Sequence, residues 1–187
     1  MQFYDVIKER KSIRKFKDNS ISKDKMARII DAAMKSPSWK NKSSYKFIIV
    51  EDKNERERLA NTILNKTEEA SNSIKEAPIT AVVVADPSLS GNVDEREYYL
   101  VDSAIAMEHL ILAATAEGYG TCWIGAFDED EIRDILSIPK KYRVVGMTPI
   151  GEINETKESH PKKDVRDYVF FNTWEKAYTE NIDKNIH

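Results

Sequence analysis

Apolar residues recur along the chain with a helical rhythm in some stretches and as short unbroken runs in others. Phe3, Val6 and Ile7 share one face of a short opening helix. Met26, Ile29, Ile30, Ala33 and Met34 follow an i, i+3, i+4, i+7, i+8 series that predicts an amphipathic helix. Ser22 stands where its cap belongs, and Pro37 ends it, because the residue before a proline avoids the helical region. Residues 36–44 are polar and predict a loop, after which 46–50 reads as a strand. The stretch 55–76 is charged and helix-favouring, with Leu59, Ile63 and Leu64 available for packing and Pro78 as its stop. The run 80–85 predicts a buried strand. A turn-rich loop spans 86–92, and an apolar helix covers 98–117 with Gly118 as its C-terminal cap. A short strand is expected at 121–124. Asp128 and Glu131 form a capping box for a helix reaching Leu136, and 143–150 is the last strand. Residues 152–164 are polar and irregular, and a tail containing Trp174 follows. Strands alternate with helices, which predicts a mixed α/β layer structure without internal repeats.

Composition narrows the class. The 187 residues, 41% hydrophobic and 33% charged, suit a single folded domain rather than a disordered chain. Six glycines and six prolines exclude collagen-like and flexible-linker architectures. A net charge of −3 gives no whole-molecule attraction to nucleic acid, although Lys8–Lys17 is locally basic. One cysteine, Cys122, forbids an internal disulfide and a cysteine-ligated zinc site, and the three histidines lack metal-ligand spacing, so no metal is expected. The opening residues lack the apolar core of a signal peptide. The apolar stretch at 98–116 carries Asp102, Glu108 and His109, costly at a bilayer centre, and reads as a buried core helix instead. A cytoplasmic protein without membrane contact is expected.

Four constellations can carry chemistry. Arg10 and Arg14, with Lys11 adjacent, can converge on one side whether the segment is extended or helical, and the Ser12 hydroxyl joins them in the extended case. Guanidinium forks bind phosphate oxygens bidentately, so a phosphomonoester socket is one reading and a solvated basic stretch paired with Asp5 and Glu9 is the other. The loop with Pro37, Ser38, Trp39 and Asn41 offers small polar groups for the edge of a heterocycle and rings for its face, or is an ordinary connection. In the segment from Gly118 to Phe127, Gly118 reads as a cap, whereas Gly125 has no such role and suits close approach of a ligand to the backbone. Trp123 reads as core or pocket wall, and Cys122 as a buried structural residue. Finally, His160, Pro161, Lys162 and Lys163 form a basic patch that matters if it closes on the same anion as Arg10 and Arg14. The dinucleotide-binding glycine turn and the P-loop lysine motif are both missing after the predicted strands.

Taken in order, Arg10-Lys11-Ser12-Ile13-Arg14-Lys15-Phe16, then Ser36-Pro37-Ser38-Trp39-Lys40-Asn41, then Gly120-Thr121-Cys122-Trp123-Ile124-Gly125, closing on Asn172-Thr173-Trp174, resembles the flavin-dependent nitroreductase family. After the loop asparagine the family reads Gln-Pro-Trp, where this chain has Ser43, Ser44 and Tyr45. The resemblance implies an α+β fold with a central sheet flanked by helices, in an intertwined homodimer with FMN at the dimer interface. It implies one domain over 1–187, whose C-terminal tail from about 152 wraps the partner chain. Arg10, Lys11, Ser12 and Arg14 match the residues that hold the FMN phosphate and ribityl chain. Pro37, Ser38, Trp39 and Asn41 match the loop lent by the partner. Trp123, Ile124 and Gly125 match the segment facing the flavin N5 edge, and Lys162 or Lys163 the second basic contact to the phosphate.

The implied reaction is a ping-pong cycle. NADH or NADPH passes a hydride to FMN, and a small-molecule acceptor such as a nitroaromatic or quinone then takes it. No catalytic side chain is implied. Reductive dehalogenation, enone reduction and flavin-based redox sensing with negligible turnover share the same motifs, and a lid at 54–73 or 86–95 would choose among substrates.

Overall fold

The computed structural model describes residues 1–158 and 163–178. The chain forms two compact units, Met1–Lys157 and Glu158–His187. In the first, the apolar run Ile79–Ala85 (β2) is buried at every position because helices cover both of its faces. Alternate side chains of a strand point to opposite faces. Ile79, Ala81, Val83 and Ala85 therefore join one core with Met26, Ile29, Met107 and Leu110, while Val82 and Val84 join another with Leu59, Ile74 and Ile132.

Strands β1 (Tyr45–Val50), β2, β6 (Arg143–Glu152) and β5 (Tyr119–Thr121) lie in the order β1–β2–β6–β5, every pair antiparallel. Helices α2 (Lys23–Met34) and α5 (Tyr98–Ala116) supply the first core. Helices α3 (Lys53–Asn61), α4 (Glu69–Glu76) and α6 (Glu129–Ile135) supply the second. The opening helix α1 (Phe3–Glu9) contacts α5 but buries only Val6, leaving Phe3, Tyr4 and Ile7 exposed. A two-stranded hairpin of β3 (Asn92–Val93) and β4 (Arg96–Glu97), which the apolar pattern gives no sign of, precedes α5.

The expected single helix over 55–76 is two helices. Residues 62–64 leave the helical path to pair with the chain before α6. Leu64 N–H donates to the Ala126 carbonyl at 3.0 Å and Asp128 N–H to the Thr62 carbonyl at 2.8 Å. Leu64 is consequently exposed rather than packed. The expected strand at 121–124 begins and ends earlier, as β5: the ladder with β6 stops at Thr121 and Ile150, where the Cys122 amide turns to the Thr148 hydroxyl, and only Ile124 pairs again, with Met147. Asp128 caps α6 by accepting from the Asp130 and Glu131 amides. Helix α5 is long and apolar enough to cross a membrane by length and composition, but Asp102, Ser103, Ala106, Met107 and Leu110 on it are buried in protein.

In the second unit, α7 (Val165–Tyr168) is capped by Asp164, whose carboxyl the Arg166 side chain and amide hold down at about 2. Phe170 bridges to Ala177, and its ring lies 4.7 Å from that of Trp174.

Candidate functional site

The basic segment is extended and lies beside β5. Ser12 pairs in parallel with Thr121, Ile13 N–H donates to the Thr121 carbonyl at 2.8 Å, and Phe16 bridges to Ile153. Ile13 and Phe16 are both buried, where they pack with Ala77. Gly120 makes this approach possible, since a Cβ there would stand 2.8 Å from the Ile13 Cβ. Ser12 and Arg14, out of phase with Ile13, are left half-buried at the surface with Arg10 and Lys11.

Two of these cations are tied and one is free. Arg14 Nε sits 3.6 Å from the Glu69 carboxylate, and the Arg14 amide donates to Glu155 at 2.6 Å. Lys11 Nζ donates to the Lys157 carbonyl at 2.9 Å, and Lys157 Nζ donates in return to the Ser12 carbonyl at 2.6 Å. The Arg10 guanidinium, just past α1, makes no hydrogen bond or ion pair with any described residue. Its fork is therefore available to an anion. Lys157 and Glu155 belong to this cluster, although nothing local in the sequence marks them.

Beyond Thr121 the chain continues past the same cluster. Cys122 is buried, its amide donates to Thr148 Oγ1 at 3.1 Å, and burial pushes its thiol up against the opposing pull of Arg14 and Lys157. Such a thiol is a poor nucleophile. Trp123 is partly exposed, and its indole lies over Gly146, where a Cβ would come within 3.0 Å of the ring. Ile124 exchanges backbone hydrogen bonds with Met147, whereas the Gly125 amide has no partner among the described residues. A Cβ at Gly125 would meet only the Trp123 Nε1, at 3.5 Å, so space remains above this backbone. Thr121 to Gly125 covers at most about 13 Å at roughly 3.3 Å per residue, joining a cationic end to an end with an unsatisfied amide.

The 36–44 loop is built differently. Lys40, Asn41 and Ser43 have φ of 47°, 56° and 47°, left-handed conformations that cost of order 1 kcal/mol or more each for residues with a side chain. They persist because the loop is pinned. Trp39 N–H donates to Asp102 at 2.7 Å and Ser43 N–H to Ser38 Oγ at 2.8 Å. The Trp39 indole stacks 4.2 Å from the Tyr98 ring and fills the space over Gly91, where a Cβ would fall 2.4 Å from it. Pro37 and Asn41 are exposed, and Ser38 and Trp39 half-buried.

The 37–41 loop and the basic segment stand toward opposite ends of the sheet. Tyr45, directly after the loop, pairs with Ala85, which pairs with Arg143; the basic segment lies at the other end of β6, where Lys17 bonds to Glu152. At about 3.3 Å per residue, β6 spans roughly 30 Å. Lys163 lies in the second unit, its Nζ 4.9 Å from the centre of the Tyr168 ring. Lys162, with His160 and Pro161, lies outside the described residues.

An antiparallel sheet with helices packed on both faces, and a cationic segment beside β5, defines a class of α+β proteins. Comparison with known proteins places the chain within it. The family model described as Nitroreductase family matches residues 7–152. The chain belongs to the nitroreductase family. A protein of Archaeoglobus fulgidus with the provisional name NADH dehydrogenase/NAD(P)H nitroreductase is 30% identical over 166 residues, covering 85% of this chain and 90% of its own. An iodotyrosine deiodinase of Thermotoga neapolitana is 25% identical over 91% of this chain and 98% of its own. Among solved structures, a nitroreductase family protein of Clostridium novyi NT is 48% identical over the whole of both chains, with a TM-score of 0.82. An FMN-dependent nitroreductase of Clostridium difficile R20291 is 30% identical over 90% of this chain and 98% of its own, with a TM-score of 0.79.

Proposed function

We propose that this protein is an FMN-dependent oxidoreductase that takes hydride from NADH or NADPH and delivers it to a small-molecule acceptor such as a nitroaromatic or a quinone, one substrate leaving before the other enters. The observation that carries this reading is the free Arg10 guanidinium beside Ser12 and Arg14, on a segment that runs alongside the chain leading to the unpartnered Gly125 amide. That donor set fits a phosphomonoester at one end and a hydrogen-bond-accepting ring edge at the other. Bound FMN supplies the hydride exchange. The chain supplies binding and orientation. Arg10, Lys11, Ser12 and Arg14 hold the phosphate end, with the Lys157 ammonium adding positive charge beside Ser12. Gly125 N–H donates to the ring edge, and Trp123 and Ile124 form the wall beside it. No side chain is assigned as acid or base.

Because the 37–41 loop stands at the far end of the sheet from the basic segment, the loop of a second copy completes each site, and the assembly is a homodimer. The 1–187 chain acts as one domain in it. The tail from about 152 wraps the partner, and Lys162 or Lys163 brings a further cation to the phosphate. The similarity to a deiodinase favours one second reading, in which the acceptor is a halogenated aromatic that loses halide.

The test is the visible spectrum of purified protein supplied with FMN, before and after anaerobic NADH or NADPH. Flavin bands that bleach with either donor and return with a quinone, a nitroaromatic or a halogenated phenol support the reading and identify the acceptor class. Absence of FMN binding overturns it, and binding without turnover makes the protein a flavin sensor instead.

A further inference from the structure

Asp102 sits on α5, facing away from solvent at 2% exposure, in a helix otherwise dominated by apolar residues. Its two oxygens accept three hydrogen bonds, each from a different part of the chain. Oδ1 takes the Trp39 amide at 2.7 Å. Oδ2 takes the Ser44 hydroxyl at 3.0 Å and the Ser90 hydroxyl at 2.9 Å. A buried carboxylate is expensive unless its lone pairs are satisfied, and here the satisfying groups are the two ends of the 39–44 loop and the residue before Gly91. Gly91 in turn receives the Trp39 indole. One carboxylate thus fixes both the loop whose backbone is left-handed at Lys40, Asn41 and Ser43 and the segment that leads into the β3–β4 hairpin.

We propose that Asp102 is the positioning residue of the flavin-facing loop: by holding Trp39 and Ser44 against Ser90 it sets where residues 37–41 stand, and so shapes the ring end of the site in the neighbouring protomer. This rests on the reading that the loop completes a flavin site. Asp102 is assigned no contact with the flavin. It acts through the backbone amide of Trp39, at the point where the chain enters its left-handed stretch. A residue that only stabilised α5 would have no reason to accept from the loop and from Ser90 at once.

The hydrogen-bond chemistry separates the possible substitutions. Asp102→Ala strands the Trp39 amide and both hydroxyls. Asp102→Asn keeps an oxygen for Trp39 N–H and offers an amide to the serine hydroxyls, which can accept as well as donate. Gly91→Ala leaves Asp102 intact but drives a methyl into the Trp39 indole, so it displaces the loop by an independent route. Two substitutions that disturb one element are non-additive.

The experiment is FMN titration of the full-length chain, with the flavin spectrum and thermal midpoint recorded for each variant. Asp102→Ala is expected to raise the FMN dissociation constant about tenfold and to shift the bound-flavin bands, Asp102→Asn to stay within about threefold of wild type, and Gly91→Ala to reproduce the alanine effect without adding to it. A folded Asp102→Ala protein with wild-type dissociation constant and spectrum overturns the proposal. If that variant does not fold, the Ser44→Ala, Ser90→Ala double variant is read by the same criterion. Trp39→Ala and Asn41→Ala tell the two levels apart. If they change the flavin while the Asp102 variants do not, this inference alone fails. If they too leave it untouched, the loop is not at the flavin and both readings fall.

Discussion

Gly120 and Ile13 carry more of the site than their chemistry suggests. Ile13 anchors the basic segment, and the missing side chain at position 120 lets it approach β5 closely enough for Ile13 N–H to reach the Thr121 carbonyl. Gly120→Ala forces Ile13 outward, and overpacking of this kind costs about 1–3 kcal/mol. The expected outcome is lower stability in urea unfolding together with weaker FMN binding, because Arg10, Ser12 and Arg14 move with Ile13. Cys122 makes the opposite point. Burial raises its thiol above the ordinary range, so the neutral form is the one the fold accommodates. A group raised on folding keeps its full contribution below the ordinary thiol pKa and loses it as pH rises through the raised value. Iodoacetamide at pH 8 is therefore expected to leave the native protein nearly unlabelled and to react readily after denaturation. Rapid labelling of the native chain would contradict the assigned burial.

Elements form where periodicity and punctuation agree, and stop where a distant partner intervenes. Met26, Ile29 and Ala33 could be read as a buried face from spacing alone, and that face packs against α5 in the structure. The run over 80–85 was legible as a buried strand because every position after Thr80 is apolar, and the strand extends one residue earlier, to Ile79. The break between α3 and α4 was not legible, since the residues from Thr62 to Leu64 suit a helix and leave it only because the chain at 126–128 offers them backbone partners. Helix α6 illustrates the electrostatic side. Burial alone would raise the Glu129 carboxyl, but the bidentate Arg143 guanidinium and the Val144 amide outweigh this and leave it below the usual carboxylate range. Its contribution is present above the ordinary glutamate pKa and lost as pH falls through the lowered value. Glu129→Gln is expected to cost about 1–2 kcal/mol near neutral pH, less than a fully buried charged pair because the Arg143 side chain is half exposed. The gap to wild type should close in acid, which unfolding curves at pH 7 and pH 3 will check.

For the whole molecule, the proposed assembly turns on placement. One chain has its basic segment and its 37–41 loop toward opposite ends of β6, and the proposed FMN site draws the loop from a second chain. Mixing an Arg10→Ala, Arg14→Ala chain with a Trp39→Ala, Asn41→Ala chain, each deficient in FMN binding, is then expected to restore flavin. Half the re-associated dimers are mixed, and each has one intact site of two, giving about a quarter of wild-type capacity. A site contained within one chain would show no recovery. The sequence by itself determined the local parts: the helix and strand faces, the Asp128 and Gly118 caps, and the motif order that carries the family resemblance, all set by short-range periodicity and side-chain type; Ser22 stands at the N-cap of α2 without a side-chain capping bond. Tertiary structure decided which parts meet. The partnership of Lys157 and Glu155 with the basic segment joins residues more than 140 positions apart, and Asp102 reaches Trp39 and Ser44 across about 60. No local pattern encodes such pairings, because they arise only when a sheet and its helices bring satisfied and unsatisfied polar groups into one place.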